Sequence, residues 1–206
     1  IDSNLFFLCL IIFFITIIFI TIGSSIDIFI SSLFYDGKQT FVLQSFNMIT
    51  IISRKIFLPL LIIYILILPI ITIYFPLKKI YLDFKFSFKS ILFLWISMFF
   101  NLIIVINLML KNNWGRARPN DILQLGGKDN FTPWFQISDS CLINCSFVSG
   151  DASVGFSLIA LFFLTRNIFF FWFALFSGFF LGIIRVLEGG HFFSDIIIAG
   201  FIIFSS

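Results

Sequence analysis

Long runs of apolar residues, unbroken by charge, recur along this chain, and no other feature restricts its fold so tightly. The hydrocarbon core of a bilayer is roughly 30 Å thick and a helix rises about 1.5 Å per residue, so about 20 apolar residues make one crossing. By that rule the sequence predicts six spans, approximately 4–22, 56–75, 90–110, 147–164, 168–184 and 192–206. The expected fold is all-α, an integral membrane six-helix bundle forming one domain over residues 1–206. Composition agrees: charged residues make up 11% of the chain, where a soluble protein carries about 25%. The opening run, Leu5 to Ile22, has no basic segment before it and no small-residue cleavage site, so it reads as a retained span. Pro59, Pro69 and Pro76 predict a kink in or after the second span, which a bilayer tolerates where neighbours satisfy the freed carbonyls. Because the chain opens on Ile1 and its last apolar run stops at Ser206, it is expected to be trimmed at both ends.

Charge reports topology. Lys78, Lys79, Asp83, Lys85 and Lys89 lie together between the second and third spans with a net +3, which the positive-inside rule assigns to the cytoplasm. Arg166, between the fourth and fifth spans, agrees, while Arg54 and Lys55 count mildly against this orientation. The connections on the opposite side are then 23–55, 111–149 and the turn at Glu188-Gly189-Gly190. The segment from Ser25 to Ser53 mixes apolar and charged residues as an interfacial stretch does; it reads equally as a lateral gate for lipid or as a plain linker. Basic residues in short clusters at span ends, rather than along a polar face, argue against a nucleic-acid partner.

Three polar clusters remain once the spans are removed, and all fall on the predicted outer side. They are Lys111 to Pro119, Ser146 to Ser153, and Arg185 to Asp195, the last containing the chain's one histidine, His191. His191 and Asp195 are four apart, which on a helix stacks them on one face and lets the carboxylate accept the imidazole proton. The other ring nitrogen then keeps its lone pair for attack or proton transfer. The Gly189-Gly190 turn returns Arg185 to the histidine, and a guanidinium beside a nucleophile suits an anionic electrophile. Lys111 and Arg118 add two cations on the same side, and Ser149-Gly150 before a helix would direct amide N–H groups at the same anion. Phosphoryl transfer is mostly positioning and charge stabilisation, so this set fits it.

Each feature also has a plain reading. Cations at span ends snorkel to headgroups, a Gly-Gly pair makes a turn, a lone histidine packs, and Ser149 caps a helix. It is the combination at fixed spacings that favours a site. Cys141 and Cys145 can close a small bridge in an oxidising compartment; a zinc site would lack a second histidine.

These residues resemble the type 2 phosphatidic acid phosphatases, whose motifs read Lys-x6-Arg-Pro, Pro-Ser-Gly-His and Ser-Arg-x5-His-x3-Asp. The resemblance runs from Lys111 to Asp195. It implies that His191 forms a phosphohistidine, that Asp195 orients it, and that Lys111, Arg118 and Arg185 bind phosphate, with no metal or other cofactor. Two positions depart from the pattern: Ile184 stands where Ser is usual, and the second motif reads Val148-Ser149-Gly150-Asp151. Asp151 then falls to the acid role of the family's second histidine, which needs a raised pKa beside cations that oppose it. A leaving group of low pKa relieves that demand, so a polyprenyl diphosphate or a lipid A 1-phosphate is the expected substrate. The implied setting is the bacterial inner membrane with the site on the periplasmic side. Competing readings are a lipid-phosphate binder or transporter that has lost turnover, and a phosphotransferase using a second lipid as acceptor.

Overall fold

The computed structural model describes residues 23–38, 40–44, 47–63, 66–67 and 88–205. The first expected span and most of the Lys78 to Lys89 cluster, with Pro69 and Pro76, lie outside the described residues. Among the described residues the fold is helical, with no strand beyond isolated bridges pairing Tyr35 with Phe41 and Ile122 with Asp129.

Among the described residues, six helical stretches are labelled in chain order. Helix α1 covers 23–33 and α2 covers 47–63, with a π-wound stretch at Ile51–Phe57. Helix α3 runs as Phe88–Phe99, then π-wound Phe100–Leu110, then Lys111–Asn113. Helix α4 comprises Gly150–Phe156 and Ile159–Thr165 with a break at Ser157 and Leu158. Helices α5, Ile168–Leu187, and α6, Phe193–Ser205, complete the set. Two are long and apolar enough to cross a bilayer, Leu92–Asn113 and Ile168–Leu187; α4 and α6 are shorter apolar helices. Their outward faces are what a lipid solvent asks for. On α5, Phe169, Trp172, Phe176, Phe180 and Ile183 recur every three or four residues and are all exposed. The opposite face buries Ala174, Ser177, Gly178, Leu181 and Gly182.

That inner stripe of small residues explains the packing. In lipid, apolar side chains gain little by leaving their solvent, so helices associate where small residues let backbones approach. A Cβ on Gly155 would stand 2.6 Å from the backbone of Ser177 and Gly178, which puts α4 directly against α5. Phe156, Leu158, Leu181, Ile196 and Ala199 fill the core between α4, α5 and α6. A second small core, Phe41, Ala117, Ile122, Leu125 and Phe192, sits under the long connection between α3 and α4. Although the connection is irregular, backbone bonds order it: Ser138 N–H to Trp114 O, Cys141 N–H to Gly115 O and Ser146 N–H to Arg116 O, at 2.9, 3.0 and 2.9 Å. Cys141 and Cys145 are joined by a disulfide.

Candidate active site

The three clusters meet at one end of this core. Helix α4 begins at Gly150 rather than near Phe147, because Ser149, in extended conformation, caps it by accepting from Ala152 N–H. At the end of α5 the chain reverses through Gly189, whose φ of +67° favours glycine, and Gly190 lies against the Arg185 guanidinium, where a Cβ would collide with it. The turn is closed by Gly190 N–H to Arg185 O at 2.8 Å. So the return of Arg185 toward His191, expected from the Gly-Gly pair, is built by backbone geometry.

A cavity of about 450 Å³ opens there, and its lining includes Arg54, Lys111, Arg118, Asp151, Arg185, Glu188 and His191. Lys111 Nζ reaches it from the end of α3, 3.6 Å from where a Cβ on Gly150 would stand. Arg118 is clamped from behind: its Nε and Nη2 donate to the Asn144 carbonyl at 3.2 and 2.6 Å, and Asn144 lies inside the disulfide ring. Burial and the neighbouring Arg185 charge pull the Arg118 guanidinium below its usual range, as crowded cations do. Arg185 Nη1 pairs with Glu188 Oε2. Ser149 is fully buried and does not line the cavity; its N–H points to the Asp195 carbonyl at 3.4 Å instead of toward an anion.

His191 is 2% exposed. Its Nδ1 lies 2.6 Å from the Ser146 carbonyl oxygen. A carbonyl can only accept, so Nδ1 carries the proton and Nε2 keeps the lone pair. The expected hydrogen bond to Asp195 is therefore replaced: Asp195 Oδ2 stands 3.7 Å from Nδ1, an ion-pair distance. The physical reason is that α6 starts at Phe193, leaving His191 ahead of the helix where the four-residue stacking does not hold. Burial lowers the His191 pKa from 6.5, against the opposing pull of Asp195 and with help from the Arg185 and Lys111 charges.

Behind the histidine lies a network the sequence did not disclose. Asp195 Oδ2 accepts from Ser146 Oγ at 2.6 Å and Phe192 N–H at 2.9 Å, while Oδ1 accepts from Arg116 Nη1 at 2.6 Å. Arg116 is 0% exposed and donates three further bonds, to Asp27 Oδ2 at 2.8 Å, Ser194 Oγ at 2.9 Å and Thr132 O at 2.9 Å. Its guanidinium also stacks 4.2 Å from the Phe192 ring centroid. Asp27, from α1, accepts two bonds from Ser194, one from its N–H at Oδ1 and one from its Oγ at Oδ2. Arg54 is the other residue sequence reading missed as a site member, since a cation at a span end reads as a topology marker; it approaches Asp151 Oδ2 with Nε at 3.3 Å. Among the described residues no group of three His, Cys, Asp or Glu side chains is placed to hold a metal ion.

The sequence matches the PAP2 superfamily over residues 89–204. It is 39% identical over 143 residues to a lipid A 4'-phosphatase of Francisella tularensis subsp. novicida, covering 66% of this chain and 64% of that protein. Lipid A 4'-phosphatases of Rhizobium leguminosarum and Rhizobium etli are each 36% identical over 67 residues, 32% of this chain and 29% and 26% of theirs. The chain thus spans just under two thirds of the Francisella protein and under a third of the other two. No solved structure matches it. The matched region begins in α3, ends in α6 and contains Lys111, Arg118, Arg185, His191 and Asp195, and the chain belongs to the PAP2 superfamily.

Proposed function

We propose that the protein is a membrane phosphatase that removes a phosphate monoester from a lipid at the extracytoplasmic face, through a phosphohistidine. The observation that carries this reading is His191: a buried imidazole with Nδ1 proton-tied to a carbonyl, on the wall of a cavity holding four cations. Lys111, Arg118 and Arg185 take the phosphate oxygens, with Ser149 holding the start of α4 and Gly150 lying beside the Lys111 ammonium. Nε2 of His191 attacks phosphorus, and the cations stabilise charge on the equatorial oxygens as the ester bond breaks. The imidazolium that forms faces Asp195 at 3.7 Å, a carboxylate already oriented by Arg116 and Ser146. Asp151 supplies the proton to the leaving oxygen, and water then cleaves the phosphorus–nitrogen bond.

The names of the relatives turn the substrate reading away from an anomeric or diphosphate leaving group. A 4'-phosphate sits on a ring hydroxyl, an ordinary alkoxide leaving group, which makes the proton from Asp151 matter more. We therefore assign a phosphorylated saccharolipid such as lipid A as the substrate class. The setting proposed with it is a six-span bundle in the bacterial inner membrane with the cavity facing the periplasm; the Lys78 to Lys89 cluster supports that orientation.

The test is phosphate release by detergent-solubilised protein, with no metal added, from lipid A, phosphatidate, phosphatidylglycerol phosphate and undecaprenyl diphosphate. Release from lipid A that disappears in His191→Ala is the expected result. Tight binding of these lipids without release from any of them would instead favour a binder that has lost turnover.

A further inference from the structure

Arg54 and Asp151 reach the cavity from α2 and from the first turn of α4, and they meet Arg185 on one atom. Asp151 Oδ2 lies 3.3 Å from Arg54 Nε and 3.6 Å from Arg185 Nε. Neither approach is a hydrogen bond: Asp151 Oδ2 and Arg185 Nε are both buried and have no hydrogen-bond partner. The Arg185 side chain is only 8% exposed, so its unpaired N–H is a buried donor on the wall of a charged cavity. Burying such a donor without an acceptor is unfavourable, and a strong acceptor of suitable shape relieves it. One carboxylate oxygen serving two guanidinium groups relieves it poorly. A phosphate, with three non-bridging oxygens, suits two guanidinium groups and an ammonium better.

We infer that Arg54 is a fourth phosphate-binding cation, and that Asp151 is its internal competitor, the carboxylate that holds Arg54 at the cavity until a phosphate monoester dianion takes it. The inference rests on the phosphatase reading and deepens it by specifying the charge of the substrate. Four cations against two carboxylates leave the lining a surplus of two positive charges with His191 neutral. A monoester above its second ionisation, near pH 6, carries two negative charges and matches that surplus; a diester carries one. Without Arg54 the surplus falls to one, and the preference for the dianion falls with it. The exchange also frees Asp151: released from both guanidinium groups and set beside the dianion, its carboxylate takes up a proton from solvent and passes it to the ester oxygen as the phosphorus–oxygen bond breaks. It then takes a proton from the water that cleaves the phosphohistidine and returns it to solvent on pairing again with Arg54 and Arg185, so protons balance over the cycle.

Binding of inorganic phosphate at pH 8 to the full chain in detergent tests this, by calorimetry on wild type, Arg54→Gln, Asp151→Asn and the double variant. Arg54→Gln is expected to weaken phosphate about tenfold or more, the effect of one charge-assisted contact. Asp151→Asn is expected to tighten it, because Arg54 loses its competitor, and the double variant should resemble Arg54→Gln. Arg54→Lys should keep part of the affinity. An ion pair with only a structural role would move both single variants the same way or not at all, and either result overturns the inference, as does a wild type that binds no phosphate. Lipid hydrolysis is scored separately. Opposite shifts in a protein that hydrolyses nothing would sink the phosphatase reading alone, and hydrolysis with phosphate affinity unchanged in Arg54→Gln would sink this inference alone.

Discussion

Two clusters of charge sit on either side of His191, and they are built to opposite rules. Behind the ring, Arg116, Asp27, Asp195, Ser146 and Ser194 are buried and bonded to one another. In front, Arg54, Lys111, Arg118, Arg185 and Asp151 share a cavity with cations in excess and with buried polar atoms unbonded. A saturated network in a low-dielectric interior has one good arrangement, so it fixes geometry. An unsaturated one stores the capacity to bind something else. The histidine stands at the boundary, oriented from one side and charged with its task on the other.

Removing Arg116 attacks the closed side and should have the largest effect. Arg116→Leu leaves Asp27 and Asp195 buried without their cation, and breaking such a pair costs about 3–5 kcal/mol. Thermal unfolding in detergent is expected to show a protein strongly destabilised or not folded. An unchanged melting temperature would mean that this cluster does not hold the site.

On the open side the two quantities should separate. Lys111→Gln is expected to slow phosphate release by roughly 10²–10³-fold, the usual loss for one group that stabilises transition-state charge. Its melting temperature should stay near wild type, as for substitutions outside a packed network. Equal losses of stability and turnover would erase the contrast between the two sides.

The smallest expected effect concerns pH. The attack proposed for His191 needs neutral imidazole, so turnover is expected to fall as pH drops through its pKa, tenfold per unit on the acid limb. Burial holds that pKa below 6.5, and the charges of Arg185 and Lys111 push the same way. The plateau of a rate profile should therefore extend below pH 6.5, and in Lys111→Gln, with one repelling charge gone, the acid limb should move upward. A limb at or above 6.5 in the wild type would contradict the burial argument.

Lys111, Arg118, Arg185 and His191 were legible because their spacing carries the chemistry, and the structure gathers all four at one cavity. The helical class was legible from hydropathy alone. Other parts were not, for identifiable reasons. Arg116 and Arg118 are two apart, and nothing in Arg-Ala-Arg says which turns inward; Arg118 faces the cavity while Arg116 is sealed beneath it. Asp27 gave one usable signal, an acid within an apolar helix, which is costly unless partnered and so points to a partner. The partner, Arg116, is far away in sequence. Arg54 was hidden by a sound rule, since basic residues at span ends ordinarily report topology. The His191 to Asp195 approach expected from the spacing is present at 3.7 Å, but the shorter partner of Nδ1, the Ser146 carbonyl, was not legible because it comes from a loop 45 residues away.

Arg116 also sets an order of events during synthesis. Asp27 precedes it by 89 residues and Asp195 follows it by 79. At about 5–20 residues per second, Arg116 waits on the order of ten seconds for its second partner to emerge from the ribosome. Through that interval α1 can already be engaged, while the residues that seat His191 have not been made. Completion of α6 is thus the step that closes the network behind His191.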